Sequence, residues 1–322
     1  MFLYQVSRKI SITLKQRIFL DWKIRYATIP VRQPMHLKRL LLFLVLPALL
    51  AWPCRVIAAE ARSADLTLLP SGPLFAPPLA DPMTPVLSLK YMATTNHETH
   101  IGKVSAGTTF GLLRLDAGPT ALQLNIAGGI FSRFDLYDLF GGETTDFLIG
   151  FPIDLIPRSG SNGWAFQLTP YHTSGHLLDE TIFKNADTVP PVEPAEYSRD
   201  VIRLLIAYRF SPLDRLYAGA AFAFDGIDWR YLHNYQAGSE FFSPARTFFH
   251  REFRLYLADD LQVKEETNWS LNLNLQAGVS IKRPDESHGL RIAVEYFDGN
   301  AVEGQFFEQK EQNIGLAAFF DL

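Results

Sequence analysis

From Pro85 to the C-terminus the chain repeats one pattern: a run of about ten residues in which apolar side chains alternate with small or polar ones, then a turn, then another run. The clearest case is Trp269 to Lys282. There Trp269, Leu271, Leu273, Leu275, Ala277, Val279 and Ile281 interleave with Ser270, Asn272, Asn274, Gln276, Gly278, Ser280 and Lys282. A period of two held over that length excludes a helix, whose apolar positions fall three and four apart. The same parity recurs at 86–92, 103–113, 120–131, 143–153, 163–174, 200–210, 215–224, 234–242, 252–262, 289–297 and 312–322, which makes about twelve predicted strands. Several run to ten or eleven residues. A soluble strand averages about five or six residues, whereas a strand tilted across a bilayer needs about nine to eleven.

The connections alternate in length, as they do in bacterial membrane barrels with short periplasmic turns and long external loops. Asp116 to Pro119, Ser211 to Asp214 and Arg283 to His288 are short turns bearing Pro or Gly, while 175–199, 225–233, 263–268 and 298–311 are longer and more polar. With the N-terminus in the periplasm the short turns fall on the inner side. Two stretches, 152–162 and 243–251, fit the alternation less well, and ten or fourteen strands are alternatives to twelve.

In hydrocarbon every backbone N–H and C=O must be paired internally, so a sheet can span only if it closes on itself. The last run suits that role. Leu316, Ala318, Phe320 and Leu322 form an outward row, and Gly315, Ala317, Phe319 and Asp321 an inward one. An aromatic-bearing final strand resembles the signal read by the barrel-assembly machinery, an expected partner, although the last residue is Leu rather than Phe. The predicted fold is therefore an all-β, antiparallel up-and-down transmembrane β-barrel over residues 85–322. A soluble periplasmic sandwich or lipocalin-like barrel is the alternative.

Ahead of the barrel, Met35 to Arg39 is a short basic start, Leu40 to Ala51 an apolar run and Ala59-Glu60-Ala61 a small-x-small pattern, so 35–61 reads as a secretory signal peptide. Residues 1–34 are an upstream leader or a mis-assigned start, and 62–84 a periplasmic N-terminal segment. Cys54, the only cysteine, lies inside the signal. Trp52 and Pro53 precede it where a lipid-attachment signal wants small residues. Without residues 1–61 the chain falls from 30 to 20 Lys and Arg and from 34 to 32 Asp and Glu, a balance of −12. That argues against nucleic acid, whose phosphates call for a basic face.

Candidate chemistry concentrates in Gly163 to Glu180. Trp164, Phe166, Leu168 and Pro170 form the row expected to face lipid, and counting on by twos puts His172, Ser174 and His176 on the same face; Ala165, Gln167, Thr169 and Tyr171 face the lumen. A histidine and a serine two apart on one strand lie on one side, so imidazole can serve a hydroxyl nucleophile as base. The base needs a third group to hold its tautomer. Asp200, at the start of the next strand, shares the parity of Ile202, Leu204 and Ile206 and is the candidate. His176 is an alternative base. The competing reading makes these ordinary interfacial residues bonded to headgroups.

Tyr171-His172-Thr173-Ser174-Gly175 resembles the tyrosine, histidine and serine segment of outer-membrane phospholipase A, a twelve-stranded barrel, and the histidine-x-serine pair of barrel lipid A deacylases. The tyrosine spacing differs by one, and Gly175 stands where the phospholipase has Asn. The resemblance implies a lipid acyl hydrolase working at the outer leaflet. More widely, Leu74-Phe75, Leu79-Ala80-Asp81-Pro82, Phe110 to Arg114, Phe134-Asp135-Leu136 and the segment from Tyr171 to Glu180 look like a family of bacterial outer-membrane-like proteins catalogued as a domain of unknown function. That likeness covers most of 74–322 and implies the exported barrel without an activity.

Asp179 and Glu180, followed by Asp187, Glu193 and Glu196, are hard oxygen ligands that could bind Ca²⁺. His97-Glu98-x-His100 is a weaker pattern for zinc. Arg203, Arg209, Arg254, Arg291 and Glu295 join Gln123, Asn125, Asn272 and Asn274 on inward rows. They either pair across a filled lumen, the favoured reading, or line a small-solute channel. The leading functional reading is an exported structural or ligand-binding barrel without chemistry of its own, with the lipid acyl hydrolase and the small-solute channel as alternatives.

Overall fold

A computed structural model describes residues 64–94, 99–136, 141–157, 162–181, 195, 197–225, 231–283 and 288–321. The leader and signal, with His97, Glu98, Asp187, Glu193, Glu196 and Leu322, lie outside the described residues. The strands are β1 (Ala64–Leu68), β2 (Leu87–Thr94), β3 (Thr99–Ala117), β4 (Thr120–Asp135), β5 (Gly141–Gly150), β6 (Ile153–Pro157), β7 (Gly163–Leu177), β8 (Tyr197–Arg209), β9 (Arg215–Asp225), β10 (Tyr231–Phe242), β11 (Arg246–Phe248), β12 (Arg251–Lys264), β13 (Leu271–Lys282), β14 (Gly289–Asn300) and β15 (Lys310–Asp321). Around the wall, staves that follow one another in the chain pair antiparallel, and β15 returns to β2, Leu316 opposite Tyr91 and Phe319 opposite Ser88. The result is a closed antiparallel barrel of the outer-membrane type with twelve staves.

The stretches that fitted the loop alternation poorly are explained by local backbone. Residues 152–162 are mostly not a connection. Pro152, which has no N–H, interrupts a stave that continues as β6, so β5 and β6 share one position between β4 and β7. The kink stays bonded, because Phe151 N–H donates to Pro170 O and Asn125 N–H to Pro152 O. Residues 243–251 are a hairpin extension below the barrel, with β11 pairing back onto β12. The expected strand start at Trp269 moves to Leu271, because Asn268 and Trp269 adopt left-handed φ of 52° and 61°.

Outward positions carry Leu89, Ile130, Leu204, Leu257, Val294 and Leu316, all exposed large apolar side chains. Rings bracket this band. Trp164 packs edge-on to Tyr208 at 5.1 Å near the periplasmic end, and Tyr235 stacks on Trp269 at 5.8 Å near the outer end. Such girdles mark the two membrane interfaces. The band has no soluble counterpart, since a water-exposed domain rarely shows so wide an apolar surface.

Inside, the expected polar row is present and extensively paired. Gln123, Asn125, Asn274 and Gln276 are almost wholly buried. Lys90 pairs with Glu295 at 2.8 Å, Arg291 with Asp321 at 3.0 Å and Arg215 with Glu240 at 2.8 Å. Arg254 pairs with Glu252 at 3.2 Å.

The N-terminal segment expected in the periplasm divides instead. Residues 64–68 add to the lower end of β3 as β1, and 72–84 enter the barrel. Leu74 and Phe75 N–H both donate to Asp154 Oδ2, at 3.1 and 3.0 Å. Arg215 donates to Ala76 O and Pro77 O, Asn274 Nδ2 to Ala80 O, and Leu79 N–H donates to Glu240 Oε1. Asp81 accepts from Arg203 at 2.9 Å. A chain without regular structure can lie in an interior only if its backbone groups find partners, and the lumen side chains supply them. Phe75 and Ala80, each 1% exposed, anchor two apolar clusters of this interior. A Cβ at Gly107 would come within 2.7 Å of Gly128 O and 3.0 Å of Pro85 Cα, so glycine is needed where β3 meets β4 and the chain leaves the segment.

At the outer end the β14–β15 connection folds inward. Gly304 N–H donates to Asp146 Oδ2 at 2.7 Å, Gln305 Nε2 to Gly175 O at 2.6 Å, and Glu303 pairs with Lys103 at 2.7 Å.

Candidate functional site

β7 and β8 run side by side with their outward rows in register. His172 lies opposite Asp200 and Ser174 opposite Ser198, while on the other side His172 faces Ile149 of β5 and Ser174 faces Phe147. His172, Ser174 and His176 all project from the lipid-facing surface, and Thr173 and Gly175 between them are buried inward. The alternation holds because the tilted strand keeps a period of two on either side of Pro170, whose ring takes an outward position.

His172 Nδ1 bonds Asp200 Oδ1 at 2.8 Å. The carboxylate accepts, so Nδ1 carries the proton and Nε2 is left as the basic nitrogen. Both side chains are exposed on the wall, at 45% and 77%. His176 is engaged differently: its ring packs edge-on to Phe147 at 5.8 Å. His172, held by a carboxylate, is thus the better-placed base. Ser174 is one outward position farther along, about 6–7 Å in strand rise. Ser174 Oγ stands beyond hydrogen-bond reach of His172 in this structure.

Depth follows from the same strand. Trp164 belongs to the periplasmic girdle, and His172 is eight residues farther along. At about 3.3 Å per residue and a tilt near 40°, that is roughly 20 Å along the membrane normal, against an apolar band about 25 Å tall. His172, Ser174 and Asp200 therefore sit at the outer edge of the hydrocarbon. Phe222, one outward pair below Asp200 on β9, packs against His233 at 5.2 Å and marks the same boundary.

Asp179 and Glu180 form an exposed helical turn just after β7. Among the described residues no group of three or more His, Cys, Asp or Glu side chains is arranged to hold a metal ion. His100 stacks on Tyr91 at 5.6 Å, and its Nδ1 lies 2.9 Å from the Tyr91 hydroxyl. Sequence reasoning missed the inward partners of the site strand. Gln305 and Gly304, far along the chain, buttress Gly175 and Asp146 from the lumen side, and no local pattern marks such contacts.

Three solved barrels illustrate the architecture. The β domain of the Bordetella autotransporter BrkA matches with a TM-score of 0.41 and 13% identity, over 73% of this chain and 96% of that one. LpxR from Salmonella typhimurium gives 0.34 and 7%, over 73% and 99%. CdiB from Acinetobacter baumannii gives 0.30 and 10%, over 81% and 66%. No curated protein sequence matches the chain. Residues 46–322 match the model of the protein family of unknown function DUF1207, and the chain belongs to that family.

Proposed function

We propose that this barrel is a lipid acyl hydrolase of the outer leaflet, with Ser174 as nucleophile, His172 as general base and Asp200 as the residue that orients His172. The observation that carries the reading is the 2.8 Å bond from His172 Nδ1 to Asp200 Oδ1 on the lipid-facing wall, one outward position from a serine. A purely structural wall gains little from a polar pair set at the edge of hydrocarbon, since polar groups there lose hydration that only partial bonding restores.

In this reading Ser174 Oγ attacks the acyl carbonyl carbon as its proton passes to His172 Nε2. Collapse of the tetrahedral adduct breaks the ester C–O bond, and the leaving alkoxide takes that proton. Water, deprotonated by His172, then cleaves the acyl-serine, releasing a fatty acid and restoring Ser174. Asp200 holds the imidazole and stabilises the imidazolium formed in each half. The depth of the site suits ester bonds just below the headgroups. Export to the outer membrane belongs to the same proposal, as do outer-membrane lipids as partners.

Purified native barrel and Ser174→Ala are compared on vesicles of phospholipid and on lipid A in mixed micelles, with fatty acid and lyso products measured. Native protein releases fatty acid; Ser174→Ala and His172→Ala do not, and Asp200→Asn is slower by on the order of 10²-fold or more. Identical product profiles for native protein and Ser174→Ala overturn the reading.

A further inference from the structure

Between the inserted N-terminal segment and the inward-folded 301–309 loop lies a cavity of about 100 Å³, on the opposite side of the wall from Ser174. Its lining includes Tyr171 and Thr173 of β7, Arg203 of β8, Asn234 and Gln236 of β10, and Asp146. By size it has room for several waters, since about 10–15 Å³ of such volume already admits one. The space is polar, and its polar groups are not all used.

The two guanidiniums beside it are paired. Arg203 pairs with Asp81 at 2.9 Å, and Arg199 with Glu266 at 3.3 Å. What is left over is mixed in kind. Thr173 Oγ1, Asn234 Oδ1 and Asp146 Oδ1 are buried without a hydrogen-bond partner, and so is Arg203 Nε. Asp146 and Thr173 are 1% and 7% exposed. A buried polar group without a partner carries its full desolvation cost, so a set facing one space points to something that fills it.

The leftover atoms also restrict the filler. An anion would meet the Asp146 carboxylate and the Asn234 carbonyl oxygen, with only the Thr173 hydroxyl and Arg203 Nε to donate; a simple cation would leave Arg203 Nε unmet and crowd two guanidiniums. A hydroxyl donates and accepts, and several on one small frame would serve all four atoms. Tyr171, Val201 and Met83 add apolar surface for C–H groups. We infer that the cavity binds one neutral polyhydroxylated molecule the size of a single sugar ring. The inference is independent of the hydrolase reading, because it uses the lumen face alone.

The test is isothermal titration of the full folded barrel in detergent with D-glucose, D-galactose, myo-inositol and glycerol, with glycine betaine as a zwitterionic control without hydroxyls. At least one polyol gives saturable heat and betaine gives none. Thr173→Val and Asn234→Leu each weaken that binding about tenfold, and Tyr171→Phe serves as a further variant that keeps the ring. Folding of each variant is checked by heat-modifiable migration. No saturable heat from any of the four polyols, or binding unchanged in all three variants, overturns the inference and leaves a water-filled cavity.

Discussion

At the residue scale, one side chain does more than any other to hold the irregular segment inside the barrel. Arg215, 5% exposed, donates to Glu240 at 2.9 and 2.8 Å and also to Ala76 O and Pro77 O. A guanidinium suits the task because its planar fork reaches a carboxylate and two carbonyls at once, which an ammonium on a flexible stem does not. Arg215→Ala strands a buried carboxylate and two carbonyls, and breaking a buried pair this way costs about 3–5 kcal/mol. The expected outcome is local: hydrogen exchange over 74–80 speeds up by about 10²-fold or more while the strand amides stay protected. Equal protection in the variant would show that the apolar contacts of Phe75 hold the segment unaided.

Glu303 in the inward-folded loop gives a second residue-scale prediction. Burial raises its carboxyl, and the pull of Lys103 and Arg133 more than offsets this, bringing it down from the ordinary 4.5 to about 2. A carboxylate depressed in the folded state adds stability that is complete above 4.5 and is lost as pH falls toward 2. A spin label at exposed Glu308 should therefore keep its mobility from pH 7 to about 4.5 and loosen only on approach to 2. A transition centred at 4.5 would mean that Glu303 titrates as a free side chain. Glu303→Gln should loosen the loop even at neutral pH.

At the scale of elements, the β11–β12 hairpin carries a visible strain. Its two turn residues, Phe249 and His250, have φ of 47° and 57°, a conformation that a two-residue hairpin turn requires and that an asparagine followed by a glycine fills best. A left-handed residue with a Cβ costs about 1–2 kcal/mol. The double substitution Phe249→Asn with His250→Gly should raise the temperature at which the barrel loses heat-modifiable migration. An unchanged or lower temperature would show that the exposed Phe249 ring stabilises the hairpin through the membrane interface.

That turn also shows where the sequence was legible and where it was not. Counting by twos located all twelve staves and put His172, Ser174 and Asp200 on one face, because in a barrel wall each side chain has only two destinations. Parity nominated Asp200 as the partner of His172 but did not fix its place directly opposite, since that depends on register across a 19-residue connection, 178–196, whose length says nothing of pairing. The hairpin at 246–253 was obscured because Phe249-His250 lacks the usual turn residues, and β6 because Pro152 reads as a strand end. Both are places where tertiary pairing overrides a local preference.

At the scale of the whole molecule, the decisive feature is what fills the barrel. A twelve-stave wall encloses more space than its own inward side chains fill, while porins of sixteen or more strands leave an aqueous channel. Here the difference is made up by residues 72–84, which sequence could not place because a Pro-rich stretch has neither helical nor strand period and its partners are scattered over β4, β6, β8, β9, β10 and β13. The segment crosses the path that a solute would take, and Asp81 closes it at mid-depth through Arg203. Conduction would require breaking that pair and several backbone bonds together, each costly because the freed group stays out of bulk water. In planar bilayers the native chain should thus show no steady conductance, whereas a variant lacking 71–84 should show stable, ohmic channels. The deletion also strips partners from Arg203, Arg215 and Glu240, so the channel should be water-filled and sensitive to ionic strength. If the deleted variant folds and conducts no more than the native chain, the paired lumen side chains are themselves the barrier, and the inserted segment serves the fold alone.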